Sequence, residues 1–295
     1  MRKKTTSSDW AAYARPWSLP GGSMPSFVAI MYVYYISILS GNHIEWFLGF
    51  VALLGALFFQ TAGNLFHAYK HYGESHKSVE VNKTPQPPKS LLVIANICLI
   101  VGMLIGLFLL MTSGWQLAWM GVVGVFAVLL YPRLKYTLSG DLLIFLVYGP
   151  LVVLGTGYVL TSILVWQLLL LSIPVGLITL NIIQSHAITE YVADKHTGVR
   201  TAVLSKNITQ LTSFYKAHIY VAYSILVLLV ITDVLPLMSL CALFTLPLAW
   251  KCIVLLRDVN NSSSEAIKDL NKLTSRLQLL FALLLSLSFL FAGWQ

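Results

Sequence analysis

The sequence predicts an all-α polytopic membrane protein with nine transmembrane helices, read as one domain over residues 1–295. Three observations predict it. Only 10% of the 295 residues are charged and 57% are hydrophobic, whereas a soluble chain is roughly 25% charged. A soluble fold would leave large apolar patches in water. Apolar runs of about 20 residues recur, each long enough to cross ~30 Å of hydrocarbon. Lastly, the basic residues fall on one side only of successive connections. Nine runs of about 21 residues use roughly 190 residues, so no independent soluble domain fits in the remainder.

Residues 1–23 carry Arg2, Lys3, Lys4 and Arg15 but no apolar core ahead of Pro16, Pro20 and the Gly21-Gly22 pair. The expectation is therefore that no signal peptide is cleaved and that the first span, 24–40, acts as its own insertion signal. The next spans are expected at 44–66, 90–112, 115–131, 141–161, 164–186, 211–232, 235–256 and 275–294. A lipid-exposed segment must satisfy its backbone hydrogen bonds internally, so each is a helix. The runs are too long and too uniformly apolar for barrel strands. Between spans 8 and 9, Ser262 and Glu265 form a capping-box pair ahead of Ile267, Leu270 and Leu273, which predicts a short interfacial helix. Cys98, Cys241 and Cys252 lie in apolar runs at no zinc or haem spacing, and read as packing residues.

With a cytoplasmic N-terminus, all 19 Lys and Arg residues lie in the tail, in the connections after spans 2, 4, 6 and 8, or at the adjoining helix ends. The opposite connections, 41–43, 113–114, 162–163 and 233–234, hold none. That is the positive-inside pattern without exception. Trp46, Trp115, Trp166 and Trp294 fall at the outer ends, as an interfacial aromatic belt requires. The net charge of +8 thus reports topology and anionic lipid at the inner face, and nucleic acid is not needed to explain it. The connections after spans 2, 6 and 8 are the long ones, so chemistry is expected on the cytoplasmic side.

Polar residues gather in three places. The end of span 2 reads Asn64-Leu-Phe-His67-Ala-Tyr69-Lys70-His71, and on a continuing helix Asn64, His67 and His71 share one face. At membrane depth such residues point into a bundle cavity; the plain alternative is a hydrated helix end. After span 4, Tyr131, Arg133, Lys135 and Tyr136 put two cations and two phenols at one mouth, read either as a site or as positive-inside anchoring. Span 6 runs into Glu190, Asp194, Gly198 and Arg200. Two carboxylates four residues apart repel unless a cation lies between them. Hard oxygen donors of this kind, with substrate phosphates and water, suit Mg²⁺, and Arg200 can grip phosphate bidentately. The plain alternative is a solvated helix end. The first and third clusters lie four helices apart, which suggests two related four-helix halves plus a ninth helix.

The chain resembles the UbiA-type superfamily of intramembrane prenyltransferases, and within it the 1,4-dihydroxy-2-naphthoate prenyltransferases of menaquinone synthesis. The likeness is carried by Ala14–Pro20, by Gly140-Asp141 through Gly149-Pro150 and Leu154-Gly155-Thr156, and by Leu273-Thr274 through Leu285. Tyr131 and Lys135 match the YxxxK element. Glu190, Asp194 and Gly198 match the second acidic motif, with Glu for its first Asp. The resemblance implies nine helices around a central cavity and an active site under cytosolic loops, in a bacterial inner membrane. It implies a polyprenyl diphosphate donor and an aromatic acceptor, with Mg²⁺ as the cofactor.

On that resemblance Glu190 and Asp194 hold the metal. Lys70, Arg133, Lys135 and Arg200 bind diphosphate, and Tyr131, Lys135 and Asp194 form the catalytic group. Asn64, His67 and His71 are the first-motif equivalents, where His67, Ala68 and His71 stand in place of the family's Asn and two aspartates. The missing aspartates keep a second reading open, a non-catalytic isoprenoid- or quinone-binding homologue. A solute transporter is the third; Pro150, Pro174 and Pro247 fall within spans, but no Asp, Glu, Lys or Arg lies at mid-depth.

Overall fold

The computed structural model describes residues 19–41, 43–75, 89–134, 137–197, 207–257, 259, 267 and 269–293; side chains are described in these segments except at 67, 70–75, 128–129, 131–133 and 196–197. Nine helical rods follow one another among these residues: α1 (Leu19–Ser40), α2 (Trp46–Ser75), α3 (Lys89–Ser113), α4 (Gln116–Leu134), α5 (Leu138–Thr161), α6 (Trp166–Thr197), α7 (Ile208–Ile231), α8 (Leu237–Leu255) and α9 (Asp269–Ala292). Eight are long and apolar enough to cross a membrane; α4 has the shorter apolar stretch Gln116–Ala127. The protein is an integral membrane protein.

Four helix ends overrun the expected spans by five residues or more, all at the basic end of the bundle. α1 begins at Leu19 rather than 24, α2 runs to Ser75 rather than 66, α6 runs to Thr197 rather than 186, and α9 begins at Asp269 rather than 275. Hydropathy stops at the edge of the hydrocarbon, but the intrahelical hydrogen-bond ladder does not, so polar residues continue a helix into the headgroup layer. The nine residues of α2 beyond Phe66 add about 13 Å of rod. Leu270 and Leu273, expected on a short interfacial helix, belong to α9 itself and are buried, as is Ile267. Ser262 and Glu265 lie outside the described residues.

The turns at the end bearing few charges are tight. Gly114 adopts φ +110° between α3 and α4, a conformation only glycine takes readily. Ser162 and Asp233 sit in the left-handed region where α5 and α7 stop. Trp46, Trp115 and Trp166 are exposed at the first residues of α2, α6 and just before α4, all at that same end of the bundle.

α6 is the central pillar: 72% of its apolar stretch is buried inside the protein, against 17% for α2 and for α3. It packs on α5, α7 and α9, while α9 also packs on α1 and α8. One core runs through α1 and α5–α9, with Tyr32, Tyr215, Phe281 and Phe289 its largest fully enclosed side chains. Tyr32 Oη donates to the Val234 carbonyl at 3.1 Å, tying α1 to the α7–α8 turn.

α5 is not a uniform helix. Residues Val147–Leu151 form a π turn around Pro150. Proline has no N–H for the preceding turn, so the ladder widens there. Immediately beside it α5 crosses α6 backbone to backbone. A Cβ on Gly149 would lie 2.9 Å from the Ser172 carbonyl oxygen, and one on Gly176 would lie 2.9 Å from the Gly149 Cα. α8 is irregular too, a 3-10 stretch (Leu237–Thr245) giving way to α-helix at Leu246, with Pro247 in the first turn where its fixed φ is suited.

Candidate functional site

α6 passes through the bundle centre and carries its polar residues to the basic end. Glu190 and Asp194 are one turn apart, both half-buried, so the helix holds the two carboxylates on one face. Thr189, beside Glu190, accepts from Asn271 Nδ2 of α9 at 3.0 Å. The other amide atom, Asn271 Oδ1, is buried without a hydrogen-bond partner. One turn and a half further into the membrane Gln184 is fully enclosed; its Nε2 donates to Asp141 Oδ2 of α5 at 3.4 Å, and its Oε1 is also without a partner. Asp141 is fixed from below, since Thr137 caps the start of α5 by accepting from Gly140 N at 3.1 Å.

Deeper still lies a row of neutral polar contacts. Asn181 donates to the Tyr215 carbonyl at 3.1 Å, and its Oδ1 lies 3.1 Å from His218 Nδ1 on α7. Tyr215 Oη is 2.7 Å from Thr274 Oγ1 on α9. Gln278 Nε2 donates to the Pro20 carbonyl (3.2 Å) and to Thr179 Oγ1 (3.4 Å), while Gln278 Oε1 is buried without a partner. Tyr148, aimed by the π turn, donates to Gln60 Oε1 of α2 at 2.7 Å. A void of about 30 Å³ lies among Gly21, Gln60, Tyr148, Thr179, Ile182 and Ile183, enough for a single water. Polar groups of α1, α2, α5, α6, α7 and α9 thus form a seam of contacts inside the bundle.

The residues expected at the site are placed as follows. Asn64 is half-buried on α2, and Glu190 and Asp194 stand on α6. His67, Lys70 and His71 occur on the last turns of α2, and Tyr131 and Arg133 on the last turn of α4, but their side chains lie outside the described set. Lys135 and Arg200 lie outside the described residues altogether. Sequence reasoning assigned no role to Gln60, Asp141, Tyr148, His218, Asn271 or Gln278. Apart from Asp141 these are uncharged polar or imidazole side chains inside apolar runs, and polar residues at membrane depth point into protein rather than lipid.

The donor set bears on what ion could sit here. Among the described residues no three His, Cys, Asp or Glu side chains cluster as a metal site. Two carboxylates on one helical face, with the unpartnered oxygen of Asn271 bonded beside Glu190 through Thr189, offer hard oxygen ligands but too few to enclose an ion. That fits Mg²⁺, which keeps several waters and is commonly held by one or two carboxylates plus substrate phosphates.

Comparison with known proteins agrees with this architecture. Over 230 residues the chain is 26% identical to a 1,4-dihydroxy-2-naphthoate octaprenyltransferase of Bacillus subtilis (strain 168), covering 74% of this chain and 72% of that one. It is 25% identical over 263 residues to UbiA prenyltransferase domain-containing protein 1 of Danio rerio, covering 83% and 77%. The model of the UbiA prenyltransferase family matches residues 26–274, from the first helix into the ninth, and the chain belongs to that family.

Proposed function

We propose that the protein transfers a polyprenyl group from a polyprenyl diphosphate to an aromatic quinone precursor such as 1,4-dihydroxy-2-naphthoate. The observation that carries this reading is the pair Glu190 and Asp194, one turn apart and half-buried near the end of α6. Family membership supports the reaction class, and the Bacillus relative's name supports the acceptor.

In this reading Glu190 and Asp194 hold Mg²⁺, which supplies charge neutralisation for the departing diphosphate. Arg133, Lys135, Arg200 and Lys70 bind the diphosphate oxygens and stabilise the negative charge that grows on them. The allylic C–O bond breaks, its electron pair leaves with diphosphate, and the allylic carbon becomes cationic. Tyr131 lies against that cation or orients the leaving group. A ring carbon of the electron-rich acceptor then forms the new C–C bond, and the ring regains aromaticity by losing the group that carbon carried, as a proton or as carbon dioxide. The buried apolar walls keep water from the cation. Of the first-motif positions Asn64, His67 and His71, the two histidines either ligate the metal or contact diphosphate as imidazolium, in place of the aspartates found elsewhere in the family.

Purified protein given farnesyl or longer diphosphate, Mg²⁺ and 1,4-dihydroxy-2-naphthoate should form a prenylated product identifiable by mass spectrometry. Asp194→Ala should lower kcat by about 100-fold or more, the scale of losing a group that stabilises developing charge. Undiminished turnover by that variant would remove the metal assignment. The replacement of two aspartates by Ala68 and His71 favours a second reading, a non-catalytic binder of isoprenoids or quinones; tight donor binding without turnover in any divalent metal would establish it instead.

A further inference from the structure

A second hollow lies away from the seam. It is a groove of about 280 Å³ on the outside of the bundle between α7 and α8, lined by Ile219, Tyr220, Tyr223, Ser224, Leu246, Ala249, Trp250 and Ile253. Its volume is near the ~300 Å³ at which small-molecule sites begin. Its floor is made by buried Ile219, Ala249 and Ile253, and Tyr223 is held down by a hydrogen bond to Thr245. Its two walls are aromatic and stand proud: Tyr220 and Trp250 are each 53% exposed. A narrow apolar trough between two flat rings suits one hydrocarbon chain.

What distinguishes it from ordinary lipid-facing surface is its basic end. Lys216 lies one turn from Tyr220 on the same face of α7. On α8 the series Leu246, Ala249/Trp250, Ile253 continues to Arg257, whose guanidinium carbon sits 5.5 Å from the centroid of the Trp250 ring. That cation–π contact holds the guanidinium at the lip of the groove rather than out in solvent. Two cations therefore flank the mouth, one from α7 and one from the turn that follows α8. Basic pockets between membrane helices at this depth attract anionic headgroups.

We propose that the α7–α8 groove is a binding site for an anionic phospholipid, with one acyl chain between Tyr220 and Trp250 and its phosphate-bearing headgroup against Lys216 and Arg257. The site is separate from the polar seam and does not depend on the proposed transfer activity.

Trp250 provides the probe. The full chain, reconstituted in nanodiscs containing a small fraction of phosphatidylglycerol or phosphatidylcholine brominated on the acyl chain, is read by tryptophan quenching. The difference from Trp250→Phe isolates the groove. Brominated phosphatidylglycerol should quench the Trp250 component at about tenfold lower mole fraction than the choline lipid, since each basic residue adds to anionic-lipid affinity. The double variant Lys216→Gln/Arg257→Gln should equalise the two lipids, and Ala249→Phe should reduce quenching by both. Equal quenching of the unaltered protein by the two lipids would overturn the proposal. So would a phosphatidylglycerol preference that survives the double variant, or protection of Trp250 from both lipids in a dimer crosslinked through α7 and α8. The two charge changes leave the buried floor of the groove untouched, so the test stands even if Ala249→Phe fails to fold.

Discussion

Asn181 is fully enclosed and ties α6 to α7 at two points, donating to the Tyr215 carbonyl and meeting His218 Nδ1. Asn181→Leu keeps the volume but strips both partners on α7. Interhelical hydrogen bonds in membrane proteins are worth about 1 kcal/mol, so the expected loss is a melting temperature lower by about 2–4 °C in a detergent thermal-shift assay. Asn96 on α3 bonds only the Leu92 carbonyl of its own helix and is exposed; Asn96→Leu should leave the melting temperature unchanged. At this scale the sequence was partly legible. The spacing of Glu190 and Asp194 places them on one face without any coordinates. The company they keep, Asp141 with Gln184 and Asn271 with Thr189, joins residues 43 and 82 positions apart, and no local pattern encodes such distances.

At the level of the helix, the glycines separate into those that matter and those that do not. The Gly149–Gly176 crossing leaves no room for a methyl group, and the atoms in the way are backbone, which cannot rotate aside. Gly149→Ala should destabilise the fold by about 1–3 kcal/mol, the usual penalty of overpacking, and lower the yield of monodisperse protein in size-exclusion chromatography. Gly106 on α3 has no atom within 4 Å of where its Cβ would be. Gly106→Ala should be neutral or stabilise by up to about 1 kcal/mol through helix propensity. An equal response at both positions would count against the crossing. Helix existence was legible throughout, because continuous apolar runs permit little else in a bilayer. The π turn at Val147–Leu151 and the 3-10 half of α8 were not, since Pro150 and Pro247 signal an interruption without saying which form it takes.

For the whole molecule, the positive-inside reading assigns the ends bearing Gly114 and Ser162 to the outside and the ends bearing Glu190 and Asp194 to the cytoplasm. In a variant lacking Cys98, Cys241 and Cys252, a single cysteine at Gly114 or Ser162 should react with a membrane-impermeant maleimide added to intact cells. One at Lys195 should react only after lysis. The reverse pattern would invert the orientation and place the carboxylate pair outside. The number and order of helices could be read from hydropathy because thickness fixes length. Which helix is central was not legible in hydropathy alone: α6 and α3 each carry an apolar stretch long enough to span, yet one is the pillar and the other faces lipid.

The backbone contact of α5 with α6 has one more implication. Two rods touching through bare glycine faces have no side-chain cushion to slide on, so they travel as a single piece. The little void near Gln60 and Tyr148 is bounded on two sides by that piece. Any swelling of it to admit a bulky guest must come from a swing of α1 or α2, and a greasy tail arriving sideways has to find its door elsewhere than the α5–α6 seam.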